Sequence, residues 1–296
     1  MAGNGVGNNC CGQVHLLRRI SKYSMRNQSY RYPRLAKSYK GAFPFKIGTT
    51  SFIYPDHYIP NVKMLGPYLD EIELLLFESA GTDVLPSKSV ITELSRLAQE
   101  FDLTYNVHLP TDLSISNQDP RHQIHAIETM IRVMELVYPL SPSSLTLHLP
   151  YIEKSFEEYN LKIWQDRVHS NLEKILSMAV TKDKIAIETL DYSFELVDDI
   201  IVDLDLKICM DLGHLMVHGY DIEKVFNKYA LRTPIIHLHG VENDHDHTTL
   251  ARLPEKLIAP VLRILKRFTG VVSLEIFSFE NLNSSLKFLE NRWEES

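Results

Sequence analysis

The chain contains four short aliphatic runs that each carry His, Asp or Glu near the end, namely LTLHLP (145–150), IAIETL (185–190), CMDLGH (209–214) and IIHLHG (235–240). The segments between them show apolar residues at three- and four-residue spacing, which is typical of buried parallel strands alternating with helices. The carboxyl ends of parallel strands in such a protein face one pocket. The runs therefore predict an α/β fold whose ligand-type side chains converge at one end of the sheet.

The same alternation continues in both directions along the 296 residues. Strands are predicted at 45–52, 71–79, 103–110, 144–150, 184–190, 206–213, 235–241 and 270–278. Helices are predicted near 91–98, 120–137, 160–180, 193–202, 221–230, 254–268 and 280–293. Asp119 followed by Pro120 is a typical helix start. Eight strand and helix units favour a closed (β/α)8 TIM barrel, of about 250 residues in typical cases, so one barrel domain is predicted at 41–296.

The N-terminal segment, residues 1–40, contains eight Lys or Arg and no Asp or Glu. This composition predicts a basic, flexible extension, with an organellar presequence as the alternative. Because the net charge of the whole chain is −7, the predicted barrel is acidic. An acidic barrel argues against a nucleic acid as the main ligand.

Cysteine content and hydropathy indicate the cellular setting. The chain has three cysteines, of which Cys10 and Cys11 are adjacent, so no disulfide framework is predicted, and Cys209 is expected in the core. We find neither an apolar run of membrane-spanning length nor the apolar region of a signal peptide. We therefore predict a cytoplasmic protein without a membrane span.

Ligand-type side chains recur at or just beyond the predicted strand ends. Carboxylates are rarely buried in apolar strands without a partner, and a metal ion is a suitable partner for Glu188, Asp211 and Glu275. Ligand sets of His and carboxylate without thiolate favour zinc, with manganese or iron as alternatives. We predict two to three divalent ions, held by His108, His148, Glu188, Asp211, His214, His237, His247 and Glu275. Glu188 and Glu275 are the predicted catalytic residues.

Further polar residues are candidates for supporting roles. His245 and Asp246 flank the candidate ligand His247 and are predicted to complete a third metal site or to orient its ligands. Tyr54, Asp56 and His57 in the first loop after a strand, together with His239, are candidate substrate-binding residues. For each of these residues a purely structural role is the alternative.

The segment that begins Asp211-Leu-Gly-His214 and ends Gly219-Tyr220-Asp221 resembles the D-T-C-H-x-F-A-A-G-Y-D signature of endonuclease-type apurinic endonucleases. Those enzymes belong to the superfamily of xylose-isomerase-like TIM barrels. The resemblance implies a first metal at His108, His148 and Glu188, a second at Glu188, Asp211, His237 and Glu275, and a third at His214 and His247. The later D-x-H motif of that family has His245 at its first position here, so a third metal site and a two-metal site both remain open.

Within that superfamily the chain is most similar to the cobamide-remodelling phosphodiesterases. The similarity rests on GTTSFIYP (48–55), DEIEL (70–74), VHLP (107–110) and HLHG (237–240) followed by Asp and His. The resemblance implies a small-molecule corrinoid substrate. It implies hydrolysis of the nucleotide-loop phosphodiester of adenosylcobamides, which gives adenosylcobinamide phosphate and an α-riboside.

Two other classes of protein fit parts of the same pattern. A sugar isomerase or epimerase needs one metal, held by Glu188, Asp211, His237 and Glu275, with the two Glu also acting as acid and base. A corrinoid- or metal-binding protein without catalysis is the second alternative. A DNA repair enzyme is disfavoured by the acidic barrel. The number of bound ions separates the diesterase from the isomerase.

Overall fold

The computed structural model describes residues 32–77, 85–242 and 245–295. Most of the predicted basic extension, together with Cys10 and Cys11, lies outside these residues. Within its described part, Leu35 and Tyr39 are buried against the rest of the protein, and the hydroxyl of Tyr54 donates to the carbonyl oxygen of Pro33. Residues 33–39 therefore dock on the domain that follows them.

Eight parallel strands form a closed barrel. The strands are β1 (Lys46–Thr50), β2 (Glu71–Leu75), β3 (Thr104–His108), β4 (Leu145–Leu147), β5 (Ile185–Glu188), β6 (Lys207–Asp211), β7 (Ile235–Leu238) and β10 (Val271–Leu274). Around the barrel they follow the order β1-β10-β7-β6-β5-β4-β3-β2. Each lies within its predicted range and is shorter than that range. The prediction of a (β/α)8 TIM barrel is confirmed.

Helices surround the barrel. They are α1 (Tyr58–Leu65), α2 (Lys88–Phe101), α3 (Pro120–Val137), α4 (Glu158–Met178), α5 (Asp198–Asp203), α6 (Leu212–Val217), α7 (Ile222–Tyr229), α8 (Glu255–Arg267) and α9 (Phe279–Glu295). The carboxylate of Asp119 accepts from the amide of Arg121 and caps α3, as the sequence predicts. Among the described residues, no helix has the length and hydropathy that a membrane crossing requires.

The sequence prediction missed helices α1 and α6. The buried residues Tyr58, Val62 and Leu65 of α1 have helical spacing, but the segment after the first strand was interpreted only as a loop. Helix α6 begins directly after Asp211, whose carboxylate accepts from the amide of His214. The strand therefore ends at Asp211 and the helix begins at Leu212, whereas the predicted strand continued to residue 213.

A two-stranded antiparallel hairpin projects from the end of β7 and consists of β8 (Gly240–Glu242) and β9 (His245–Thr248). Residues 243 and 244 lie outside the described part of the chain. The polar sequence of β9, HDHT, does not show the alternation that predicts a strand. The hairpin carries His247 back toward the barrel mouth.

A small hydrophobic cluster, separate from the main core, consists of Ala186, Cys209, Ile235 and Val271. These residues belong to β5, β6, β7 and β10. The first three precede Glu188, Asp211 and His237 by two positions, so the side chains of each pair share one face of a strand. The cluster therefore forms an apolar layer beneath the candidate ligands, and Cys209 lies in the core as predicted.

Candidate metal centre

The predicted ligands come together at the carboxyl ends of the barrel strands. They are carried by the end or the following loop of β3, β4, β5, β6, β7 and β10, with His214 on α6 and His247 on β9. His108, Glu188, Asp211, His237 and Glu275 are buried, with at most 2% of their surface exposed. Five groups of described residues could hold a metal ion. Three of them contain most of the predicted ligands, namely His108–His148–Glu188, Glu188–Asp211–His237–Glu275, and His214–His239–His247, the last of which also includes His239. The other two, Glu73–His108–His237 and Glu188–Cys209–His237, share residues with these.

Glu188 lies between the first two groups. Its Oε2 is 3.0 Å from Nε2 of His108 and 2.7 Å from Nε2 of His148. Its Oε1 is 3.4 Å from Nδ1 of His214 and 3.5 Å from Nδ1 of His237. Each carboxylate oxygen thus faces a different pair of imidazoles, which is the arrangement expected of a carboxylate shared by two ions.

The hydrogen bonds of His108 indicate which atom is available as a ligand. Its Nδ1 is 2.9 Å from the carbonyl oxygen of Leu109, which can only accept, so Nδ1 carries a proton. In a neutral ring, Nε2 would then present a lone pair to the carboxylate of Glu188. That contact is favourable only if Nε2 is protonated or if a cation lies between the two groups.

The second group contains buried polar atoms that receive no hydrogen bond from the described residues. They are Oε1 of Glu188, Oδ2 of Asp211, Nδ1 of His237 and Oε2 of Glu275. Nδ1 of His237 lies 3.4 Å from Oε2 of Glu275 and 3.9 Å from Oδ2 of Asp211. Buried polar atoms without partners are costly, and a divalent cation would satisfy all of these at once. The donor set therefore fits a metal ion.

His247 approaches this group from the hairpin. Its Nδ1 donates to the carbonyl oxygen of Glu275 at 3.0 Å, which leaves Nε2 as the atom with a lone pair. The ring centroids of His214 and His247 are 6.0 Å apart. The carboxylate of Asp246 lies 3.9 Å from Nε2 of His247. These side chains lie beside the second ligand group and can take part in a third metal-binding group.

The pKa values of several candidate ligands are shifted, because the ionisable groups are buried close to one another. Burial by itself lowers the pKa of His108, but its hydrogen bond to Glu188 and the charge of Glu188 outweigh burial and raise that pKa to about 9. Burial by itself raises the pKa of Glu188, yet the charges of His148 and His237 hold it well below its usual range. Burial keeps the pKa of His148 below its ordinary value. A metal ion would have to displace the proton of His108, so binding should depend on pH.

A cavity of about 190 Å³ opens at this end of the barrel, and its lining includes His148, His214, His218, Asp246, His247 and Glu275. Substrate can therefore reach four of the predicted ligands as well as Asp246. His245 is exposed, is not part of this lining and pairs in register with Glu242. The structure thus brings Asp246, but not His245, to the cavity.

The candidate substrate-binding residues are not part of this lining. Tyr54 is buried, and its hydroxyl is engaged by the carbonyl oxygen of Pro33. Asp56 accepts from the hydroxyl of Tyr32 and from the amide of His57, whose side chain is exposed. His239 is fully buried beneath the cavity. Local sequence could not reveal these positions, because each depends on a segment distant in the chain.

A family model described as a xylose isomerase-like TIM barrel matches residues 62–292. The chain belongs to the xylose isomerase-like TIM barrel family. The resemblance to this superfamily is thereby confirmed, while the finer likeness to cobamide-remodelling phosphodiesterases remains a prediction. A comparison with curated proteins finds no significant match.

Solved structures with the same barrel carry different activities in their names. A D-tagatose 3-epimerase-like protein is 21% identical with a TM-score of 0.71, covering 84% of this chain and 97% of its own. L-ribulose 3-epimerase is 15% identical with a TM-score of 0.63, covering 85% and 95%. Endonuclease IV from Thermus thermophilus is 16% identical with a TM-score of 0.64, covering 85% and 100%. At these identities the likeness shows the fold, and the choice of activity depends on the site.

Glu73 is a member of the site that the sequence analysis did not single out. It is fully buried on β2, its Oε1 lies 3.5 Å from Nε2 of His237, and its other oxygen accepts from the hydroxyl of Ser273. Burial raises its pKa. Nε2 of His237 thus faces Glu73, while Nδ1 of the same ring faces the second group. The sequence did contain a signal for Glu73, because the aliphatic strand EIELL (71–75) carries acids at the alternate positions 71 and 73.

Proposed function

We propose that this protein is a metal-dependent phosphodiester hydrolase that cleaves the nucleotide loop of adenosylcobamides. The observation that carries the proposal is the position of Glu188, whose two oxygens face different imidazole pairs. A site for two or more ions suits a diester, in which negative charge grows on the phosphoryl oxygens as water attacks.

The residues divide into ligand groups with distinct tasks. His108, His148 and Glu188 would hold one ion, and Glu188, Asp211, His237 and Glu275 a second. His214 and His247 would hold a third, with Asp246 orienting the ring of His247. When bound, such ions polarise the phosphoryl oxygens and lower the pKa of water from 15.7 toward about 7. The apolar layer beneath the site keeps water out of the barrel interior.

The substrate class rests on the sequence resemblance and on charge. The motifs that begin at Gly48, Asp70 and Val107 are similar to those of cobamide-remodelling phosphodiesterases. The negative net charge of the chain disfavours a polyanionic nucleic acid relative to a small corrinoid. A reducing, cytoplasmic setting belongs to the same proposal.

A sugar epimerase is the second candidate function. The group Glu188, Asp211, His237 and Glu275 is by itself a complete set for one ion, and several solved structures with this barrel are named epimerases. In that case His108 and His148 would have no ligand role. Their close contact with Glu188 is the reason for preferring the hydrolase.

The test is a panel of substrates offered to the full chain after zinc or manganese has been restored. Adenosylcobalamin, a duplex with an abasic site, and ketoses such as tagatose and ribulose are incubated separately, and the products are separated by chromatography. We expect cleavage of adenosylcobalamin to adenosylcobinamide phosphate and an α-riboside. Epimerised ketose with intact corrinoid would instead establish the second candidate.

Counting the bound ions provides an independent measurement. Elemental analysis of the restored protein should find two or three ions per chain, whereas one ion would contradict the hydrolase proposal. The variant His108→Asn should lose one ion while the second group keeps its own. Lys162→Ala, an exposed residue on α4, is the control and should leave the ion count unchanged.

A further inference from the structure

His239 is a fully buried histidine that contacts two of the ligand groups and has no task in the proposed function. Its Nε2 lies 3.3 Å from Oδ1 of Asp211. Its Nδ1 lies 3.0 Å from the backbone nitrogen of His247. The ring thus stands between a candidate ligand on the barrel and the hairpin that carries another.

Two backbone groups lie near Nδ1 of His239. The amide of His247, at 3.0 Å, can only donate, and the carbonyl oxygen of Gly240, at 3.3 Å, can only accept. Because the amide contact is the shorter one, we assign Nδ1 as the acceptor of the His247 amide, without a proton of its own. In the neutral ring the proton then resides on Nε2, which faces the carboxylate of Asp211. Neither nitrogen is left with a lone pair for a metal ion.

The ring of His239 occupies space that the absence of a side chain at Gly213 on α6 leaves open. A Cβ atom at that position would lie 1.9 Å from Cε1 and 2.2 Å from Nε2 of His239, so only glycine leaves room for the ring. Asp211, Gly213 and His214 belong to one segment of the chain. The glycine of this segment therefore serves the packing of His239 rather than a turn with positive φ.

One oxygen of Asp211 accepts a backbone hydrogen bond and also lies close to His239. Oδ1 accepts from the amide of His214 at 2.7 Å and faces Nε2 of His239. Oδ2 receives no hydrogen bond from the described residues and points to Nδ1 of His214 and His237 at 3.4 and 3.9 Å. The carboxylate thus has one anchored oxygen and one oxygen directed into the second ligand group.

The other end of the contact supports an unusual backbone. His247 has a φ of 51°, a left-handed conformation that non-glycine residues rarely adopt. The hydrogen bond from its amide to Nδ1 of His239 offsets part of that cost. The ring centroids of His239 and His247 are 4.4 Å apart. Loss of the acceptor would release the part of the hairpin that presents His247.

We propose that His239 is a positioning residue which orients Asp211 through Nε2 and the backbone of His247 through Nδ1, and that it is not itself a metal ligand. The inference rests on the proposed function, because it assigns Asp211 and His247 to metal groups. The rival assignment is a third ion held jointly by His214, His239 and His247, whose rings are close enough for it.

Two substitutions separate the two contacts of the ring. The side-chain oxygen of Asn can replace Nδ1, so His239→Asn keeps the acceptor for His247 and loses the donor to Asp211. The side-chain nitrogen of Gln can replace Nε2, so His239→Gln keeps that donor and loses the acceptor. His214→Asn is the comparison variant, because it removes a predicted ligand outright.

Zinc titration with elemental analysis then distinguishes the assignments. We expect both His239 variants to retain the ion count of the wild type, with one ion bound about 10–100-fold more weakly, as is usual when the partner of a ligand is lost. In a His247→Asn background, His239→Gln should not weaken metal binding further, because the contact that it removes serves His247. His239→Asn should still weaken metal binding, because it removes the contact with Asp211. Loss of a whole ion in both His239 variants, as in His214→Asn, would overturn the inference.

Nuclear magnetic resonance of 15N-labelled histidines tests the inference without any metal. In the metal-free protein at alkaline pH, where the imidazole is neutral, the resonance assigned with His239→Asn should show protonated Nε2 and unprotonated Nδ1. The reverse tautomer would overturn the inference whether or not ions bind. If the wild type bound no ions and still showed this tautomer, the proposed function would fail and the orienting contacts of His239 would stand.

Discussion

The barrel interior holds two groups of buried carboxylates that differ in their partners. At the amino end, Oε1 of Glu71 accepts from the amide of Asn106 at 3.0 Å and from the hydroxyl of Ser143 at 2.5 Å, while Oε2 accepts from the hydroxyl of Thr104. At the carboxyl end, Glu188 faces imidazoles, and its Oε1 accepts no hydrogen bond from the described residues.

The difference teaches how to distinguish a structural carboxylate from a ligand. The charge of Glu71 is stabilised by neutral donors from three other positions, so its burial requires no ion. The charge of Glu188 is stabilised by imidazoles that are themselves predicted ligands, and several facing atoms have no partner among the described residues. In the sequence the two residues look alike, since each is an acid in a short aliphatic strand.

The largest expected effect is that of Glu188→Gln on turnover. The substitution preserves shape and removes a charge from the carboxylate that two ion groups share, so hydrolysis of adenosylcobalamin should slow by about a thousandfold or more. The measurement is product formation by chromatography, together with a thermal melt that establishes folding. A folded variant that cleaves at nearly the wild-type rate would refute the shared role of Glu188.

The next effect concerns the pH dependence of stability in the metal-free protein. The pKa of His108 rises from 6.5 to about 9 on folding, so its contribution to stability is fully present below pH 6.5 and is lost as the pH rises to 9. The loss should be on the order of 3 kcal/mol, since one pKa unit corresponds to about 1.4 kcal/mol.

Denaturation in urea at several pH values checks this prediction. His108→Asn should remove most of the decline between pH 6.5 and 9 that the raised pKa predicts. With zinc bound, stability should instead increase over this range, because the metal needs deprotonated imidazole. An unchanged slope in the variant would show that His108 is not the origin of the effect.

Glu71→Gln should lower stability and leave metal binding intact, in contrast to Glu188→Gln, which should impair the metal site. The amide nitrogen of Gln would replace a carboxylate oxygen that accepts a hydrogen bond, and it would then face a donor. The free energy of unfolding should therefore fall by about 2 kcal/mol. The ion count should remain that of the wild type, because Glu71 contacts none of the predicted ligands through the hydrogen bonds given above. Urea denaturation and elemental analysis measure the two quantities, and loss of an ion would erase the distinction between the two regions.

The smallest effect is expected at Glu73, which lies on the same strand as Glu71 but contacts His237. Glu73→Gln should weaken binding of the ion of the second group by about tenfold, or 1.4 kcal/mol, because the carboxyl group that lies against Nε2 of His237 is replaced by an amide. A competition titration with a zinc chelator measures this change, and Glu71→Gln is the matched control. Equal affinities in the two variants would assign Glu73 to the structural group.

Sequence patterns predicted which side chains gather at the barrel mouth better than they predicted the residues packed against them. His108, His148 and Glu188 were predicted because strand ends of a parallel barrel converge whatever the details of the loops. His237 and His239 are two residues apart and so share one face of an ideal strand, and from the sequence alone His239 was a candidate substrate-binding residue. The structure buries it, because Asp211 and the hairpin close over it from two sides.

The sequence by itself determined the barrel, the order of its strands along the chain and the chemical character of its mouth. These features follow from local periodicity and from the general rule that parallel strands align their carboxyl ends. Only the tertiary structure decided that Glu71 is satisfied by hydrogen bonds, that Glu73 lies against His237 and that His239 lies between Asp211 and His247. Each of these depends on the close approach of atoms from distant segments, and residue spacing along the chain does not encode that approach.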